Sequence, residues 1–246
     1  MLPKIDVPLY ELKLISTGEK IKFRPFTVKE EKILMMAYES DDSKYAVDTI
    51  KQVLSNCVMS NVDVSELPTF DIEYLFLNLR ARSVSEVVNL RYRCNNTVKN
   101  EETNENATCN NVVDIDLNVL EIEPTKNVDH SNKIELSENL GIVMKYPKMS
   151  IFENYANVDS EDINIILDLI VGCIDYIYDK EEIFYSKDAS KEELMEFIES
   201  LQSKDLDKVK MFFDTMPKLT KKINFSCKKC GYNEEVELEG IQSFFG

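Results

Sequence analysis

Apolar and polar side chains alternate over residues 9–16 and again over 21–25, on either side of Thr17-Gly-Glu-Lys20, which predicts a β-hairpin turning at Gly18. The period then lengthens. Thr27-Val-Lys-Glu30 has the form of a capping box and predicts a helix over 28–39, with Ile33, Leu34, Met36 and Ala37 supplying its apolar area. Asp41-Asp-Ser43 caps a second helix, on which Ala46, Val47, Ile50, Val53, Leu54 and Cys57 recur at spacings of one, three and four. Cys57 belongs to that stripe and is read as core, because free cysteine is usually buried. Pro68-Thr69 opens a third helix to about Arg82, with Tyr74, Leu75, Leu77 and Leu79 facing inward.

The strand period returns twice, each time beside cysteines. Val87-Val-Asn-Leu-Arg-Tyr-Arg-Cys94 is separated by fourteen residues from Cys109, which precedes Val112-Val-Asp-Ile-Asp-Leu117. Near the end, Ile223-Asn-Phe-Ser-Cys227-Lys-Lys-Cys230-Gly231 is followed by Glu235-Val-Glu-Leu-Glu239. Both read as hairpins carrying cysteines at their tips. Residues 100–110, low in apolar side chains, read as a loop at the first tip. Between the two hairpins, 133–136 and 141–146 read as strands, and His130 reads as a solvated loop residue. Asp159-Ser-Glu-Asp162 caps a helix running to about Tyr178, encircled by apolar residues and therefore central and buried. Ile163, Ile166, Leu167, Ile170 and Ile174 are its expected heart. At about sixteen residues it is shorter than the ~20 needed to span a bilayer. Ser190-Lys-Glu-Glu193 opens a further helix, and a last one over 205–216 stops at Pro217.

The expected fold class is α+β, a helical core with short antiparallel hairpins and a zinc-ribbon-like four-cysteine module. Residues 1–85 form the amino-terminal hairpin and helices, 86–123 with 219–246 a discontinuous ribbon-like module, and 124–218 a mainly helical insertion.

Composition narrows the function. A chain of 246 residues can bury a full core. Its formal net charge of -16 repels phosphate backbones, which argues against a nucleic-acid partner. The first residues carry no basic region followed by an apolar run, so neither a signal peptide nor a membrane anchor is expected. Six cysteines are too few for a disulfide-scaffolded secreted chain, and the cytosol that this implies favours zinc over disulfides. Four thiolates, Cys94, Cys109, Cys227 and Cys230, suit one tetrahedral Zn²⁺, with Gly231 free to take a positive φ beneath it. A redox-active C-x-x-C, disulfides and unrelated thiols remain alternatives; the redox reading wants a helix after the motif, whereas a strand pattern follows. One histidine, six glycines and a closed metal site give catalysis and small-molecule substrates little support. Arg80 and Arg82 end the third helix, either complementing its dipole or contacting a partner protein. The terminal Ile241, Phe244 and Phe245 either fold back onto the chain or dock into a neighbour.

Leu2-Pro-Lys-Ile-Asp-Val-Pro8, the segment Lys22-Phe-Arg-Pro-Phe-Thr-Val-Lys-Glu-Glu31, residues 82–88, Cys227-Lys-Lys-Cys-Gly231 and residues 239–246 together resemble the baseplate hub family of T-even-type contractile-tailed bacteriophages. The resemblance implies a structural or assembly protein of the baseplate central hub, retained as a subunit or chaperoning other hub and tape-measure proteins. It would then be found in the host cytoplasm during assembly or in the virion tail. The competing class is an intracellular zinc-ribbon adaptor that binds another host or phage protein.

Overall fold

The computed structural model describes residues 6–40, 42–99, 106–149, 151 and 162–244. In the amino-terminal hairpin, β1 (Tyr10–Lys13) pairs with β2 (Lys20–Phe23), and Gly18 turns the chain at φ 73°. The alternation buries Leu12, Leu14, Ile21 and Phe23 on one face. Helix α1 (Val28–Tyr38) starts at the Thr27–Glu30 capping box, and Arg24 meets Glu30 at 2.9 Å. Burial opposes the charge on Glu30, but hydrogen bonds from Arg24 and Thr27 hold its pKa down at about 2. The inward side of α1 is narrower than expected. Ala37 is buried with Ile33 and Leu34 half-buried, whereas Met36 is 53% exposed because it lies a third of a turn round from Ala37.

Helices α2 (Ser43–Cys57) and α3 (Thr69–Ser83) follow as expected, α2 with Asp42 accepting from the N–H groups of Lys44 and Tyr45. The buried Asp71 of α3 accepts from the Ile15 N–H at 2.8 Å, the Ser16 N–H at 3.2 Å and the Ser16 hydroxyl, tying the hairpin to the helix. Val53, Leu54, Cys57, Leu75, Leu77 and Leu79 fill the core beneath. That core also takes Leu117, Val119, Ile122, Leu219, Ile223 and Phe244, so distant stretches of chain close it.

β3 (Val87–Arg93) pairs with β6 (Val112–Asn118), and β11 (Thr220–Ser226) with β12 (Asn233–Glu239). Between β3 and β6 a small second hairpin forms from β4 (Thr97–Lys99) and β5 (Asn106–Thr108). Residues 106–108, expected in a tip loop, are therefore strand.

The central segment differs most from expectation. A four-stranded antiparallel sheet, in the order β10 (Glu182–Tyr185), β9 (Ile174–Asp179), β8 (Leu140–Met144), β7 (Lys133–Glu135), packs on α4 (Ile163–Gly172), α5 (Lys191–Glu199) and α6 (Ser203–Thr215). The helix expected to reach Tyr178 ends at Gly172. Glycine weakens a helix, and Ile-Asp-Tyr-Ile-Tyr-Asp after it is β-branched and aromatic, so pairing against β8 wins, with a register shift between Val143 and Met144 that buries both Ile174 and Ile177. The ring of Tyr178 covers Gly141, where an added Cβ would come within 2.2 Å of its hydroxyl. Ile170 and Ile174 are buried, Ile166 and Leu167 pack partly, and Ile163 is 50% exposed rather than part of the heart. Ile170→Ala is expected to cost about 2–5 kcal/mol in urea unfolding, against within about 0.5 kcal/mol for Ile163→Ala. Equal losses would mean that α4 is placed differently.

His130 is buried rather than solvated. Its ring lies nearly parallel to that of Tyr146 and tilted by 36° to that of Phe212, with centroids 5.6 and 5.2 Å away, and those two rings stack on each other at 5.7 Å. The Thr215 hydroxyl donates to the Met211 carbonyl at 2.6 Å and so accepts from His130 Nδ1–H at 3.0 Å, leaving Nε2 to accept from the Tyr146 hydroxyl at 3.1 Å. This arrangement suits the neutral ring, and burial, with a smaller push from Lys126, lowers the pKa of His130. The unfolded chain therefore binds the extra proton first as pH falls, so stability is full above about 6.5 and declines below it. Between pH 7.5 and 5.5 the wild type is expected to lose more unfolding free energy than His130→Asn; parallel losses would exclude the histidine as the cause.

Candidate metal centre

The β3–β6 and β11–β12 hairpins bring their ends together at four cysteines. Cys94 follows β3, Cys109 precedes β6, Cys227 follows β11 and Cys230 lies in the turn before β12. Their four sulfurs all lie within 4.8 Å of one another, with Cys94 and Cys230 at 3.7 Å and Cys109 and Cys227 at 3.8 Å. A tetrahedron with Zn–S bonds of about 2.3 Å has S···S edges of about 3.8 Å, so the donor set fits Zn²⁺. These separations are far beyond the ~2.05 Å of a disulfide, and all six cysteines are free thiols.

The backbone explains how a fourteen-residue gap still forms a knuckle. The Cys94 N–H donates to the Asn111 carbonyl at 2.9 Å and the Asn110 N–H to the Cys94 carbonyl at 3.0 Å, continuing the β3–β6 ladder to the cysteines. The Cys109 N–H reaches the Asn96 carbonyl at 2.8 Å, so the intervening residues leave and return as the β4–β5 hairpin without moving either sulfur. In the second knuckle the Cys227 N–H donates to the Tyr232 carbonyl at 2.8 Å, and the Gly231 N–H to the Cys227 carbonyl at 2.9 Å. Gly231 at φ 72° and Asn110 at φ 53° each follow a cysteine and turn the chain beneath the sulfurs.

Around the sulfurs, Cys94, Cys109 and Cys227 are buried and Cys230 is half-exposed. Phe225 is buried beneath them, with the Tyr92 ring 4.5 Å from its own, and the Tyr92 hydroxyl donates to Glu234 at 3.1 Å across the two hairpins. The Asn96 amide donates to the Cys230 sulfur and the Asn111 amide to the Cys227 sulfur, both at 3.6 Å. These donors offset thiolate charge, the usual task of groups behind metal ligands. They were not anticipated, although Cys94-Asn-Asn96 and Cys109-Asn-Asn111 repeat one tripeptide. Without a cation the thiols do not ionise together. Burial pushes Cys94 up to about 12, while Cys227, although burial opposes it, is held down to about 6 by the N–H groups of Cys230 and Lys229. With every position filled by sulfur, such a centre has no open site for water or substrate.

The other expected contact residues lie apart from this centre. Arg82 ion-pairs with Glu86 and covers the Tyr10 ring at 4.8 Å, while Arg80 is half-buried on α3. Phe244 is wholly buried in the larger core. Ile241 begins the short 3-10 turn that carries Phe244, and Phe245 lies outside the described residues. Among the described residues, no helix is long and apolar enough to cross a membrane.

A family model described as T4 bacteriophage base plate protein matches residues 7–246. No curated protein and no solved structure matches the chain.

Proposed function

The chain belongs to the T4 bacteriophage base plate protein family, and from that membership we propose that it is a structural or assembly protein of the baseplate central hub, acting through contacts with other hub and tape-measure proteins. The observation that carries this reading is the match over residues 7–246, nearly the whole chain. Exposed apolar side chains favour contact with proteins: Val28, Met35, Met36 and Tyr38 on α1 are between 53% and 83% exposed. Zn²⁺ held by Cys94, Cys109, Cys227 and Cys230 would clip the two hairpins and set the surfaces that partners meet. The metal's part is structural, and the residues behind it hold the thiolates in register.

Affinity purification of the tagged chain from infected cells, followed by mass spectrometry, tests the proposal. Hub or tape-measure proteins recovered in stoichiometric amounts are expected. Recovery of a host polymerase or replication protein in their place would overturn the hub reading in favour of a zinc-ribbon adaptor.

A further inference from the structure

The backbone around the four sulfurs follows one rule. The residue two positions after each cysteine donates its N–H to that cysteine's sulfur: Asn96 to Cys94, Asn111 to Cys109, Lys229 to Cys227 and Tyr232 to Cys230. The two side-chain amides depart from this local pattern, because both cross from the first knuckle to the second. Asn111 reaches Cys227 and Asn96 reaches Cys230, each at 3.6 Å.

The four ligands differ in access. Cys94, Cys109 and Cys227 are 0%, 4% and 2% exposed, whereas Cys230 keeps open surface beside the exposed Lys228 and Lys229. Asn96 is pinned next to it by its own main chain: its N–H bonds the Cys94 sulfur, and its carbonyl accepts from the Cys109 N–H at 2.8 Å. Only its side chain is left to reach across to Cys230. A thiolate is a nucleophile through its negative charge and lone pairs, and a donated N–H draws on the pair that would attack. The one sulfur that a reagent can reach therefore carries a donor fixed in place by two of the other ligands.

Taking zinc as the occupant proposed above, we infer that Cys230 is a modification site, the ligand at which soft carbon electrophiles attack the loaded centre, and that Asn96 is the positioning residue that restrains the attack through its amide. In the step itself the Cys230 sulfur displaces a halide from carbon. A C–S bond forms, the carbon–halogen bond breaks, and its electron pair leaves with the halide. The thioether so formed carries no negative charge and is a poor ligand for Zn²⁺, so a single adduct releases the metal and opens the joint between the two hairpins. Cys57 and Cys173, 1% and 0% exposed in the larger cores, stay outside this chemistry while the chain is folded.

Iodoacetamide treatment of the full, zinc-loaded chain tests this, with adducts mapped by peptide mass spectrometry and released zinc followed by a chromogenic chelator. The first adduct is expected at Cys230, with one zinc ion released per adduct. Asn96→Ala is expected to hold zinc stoichiometrically and to react about tenfold faster at Cys230; Asn111→Ala, which strips an amide from the buried Cys227, should react no more than about twofold faster. In the cobalt-substituted protein both variants should move the sulfur-to-metal charge-transfer band to lower energy, because each removes a donor that stabilises a sulfur lone pair. That band reads the hydrogen bond rather than the fold. A first adduct at Cys94, Cys109 or Cys227, an unmoved band or an unchanged rate in Asn96→Ala, or equal rates in the two variants would each overturn the inference and leave the metal reading standing. So would loss of zinc from Asn96→Ala before any reagent is added, since the residue would then help to hold the metal rather than restrain Cys230. A purified chain without stoichiometric zinc would overturn the metal reading, and this inference with it.

Discussion

Replacing Cys227 with serine is expected to release the metal and open the joint between the β3–β6 and β11–β12 hairpins, the largest single-residue effect in the chain. The purified protein should hold one zinc ion per chain by elemental analysis, and Cys227→Ser or Cys94→Ser should lose it. Cys57→Ser and Cys173→Ser should retain it, because those thiols lie buried in the two larger cores. Structural zinc binds zinc-finger peptides with an apparent 10–16 kcal/mol, roughly, and that energy reaches folding because the site does not exist in the unfolded chain. Little else fastens this end of the molecule: beneath the sulfurs the buried group reduces to Phe225, with Tyr92, Val98, Val113 and Val236 partly covering it. The hairpin tips should thus lose hydrogen-exchange protection completely, while the larger cores, with their own buried leucines and isoleucines, stay folded at reduced stability. Acid should act in the same direction, since thiolates must be unprotonated to bind, so zinc affinity falls with pH. Stoichiometric zinc in Cys227→Ser, or an unchanged melting temperature after chelation, would sink the assignment.

The parts of this structure that are legible in the sequence are those whose signals are local. Thr27 with Glu30, Asp42, and Ser190 with Glu193 each cap a helix through partners within three residues, and the helix begins where the motif stands. Gly18 and Gly231 announce turns for the same reason, since a positive φ is a property of one residue. The β9 strand was hidden because residues 163–177 are largely apolar, interrupted at Asn164, Asp168, Gly172 and Asp175, which blurs the difference between a period of two and one of 3.6. His130 was hidden because Tyr146, Phe212 and Thr215, which enclose it, come from a different strand end and helix, up to 85 residues away. At the candidate metal centre the four cysteines that come together could be read from the Cys227-Lys-Lys-Cys230 spacing and the flanking strand patterns. How Cys94 and Cys109 meet could not, because it depends on ladder bonds that pass around the β4–β5 hairpin.

Phe244→Ala is expected to cost about 3–5 kcal/mol, the usual range for emptying a phenylalanine site in a core. A residue two positions from the end of a chain normally frays and tolerates change. This one has no exposed surface: it packs in the cluster that holds Leu75, Leu77, Leu219 and Ile223. The route that takes it there is short and specific. After β12 the chain turns at Gly240, φ 70°, whose N–H donates to the Leu219 carbonyl at 3.0 Å, and the 3-10 turn Ile241–Phe244 follows with the Ser243 hydroxyl donating to the Glu239 carbonyl at 2.6 Å. Of the two expectations for the carboxyl end, Phe244 thus follows the one in which the chain folds back on itself. The side chain is not open to a partner while the core is closed. Deleting residues 241–246 from the isolated chain should therefore lower its melting temperature as far as Phe244→Ala does or further, with hub assembly failing only as a consequence. An unchanged melting temperature together with lost assembly would instead mean that Phe244 leaves the core to dock, and would overturn the core assignment.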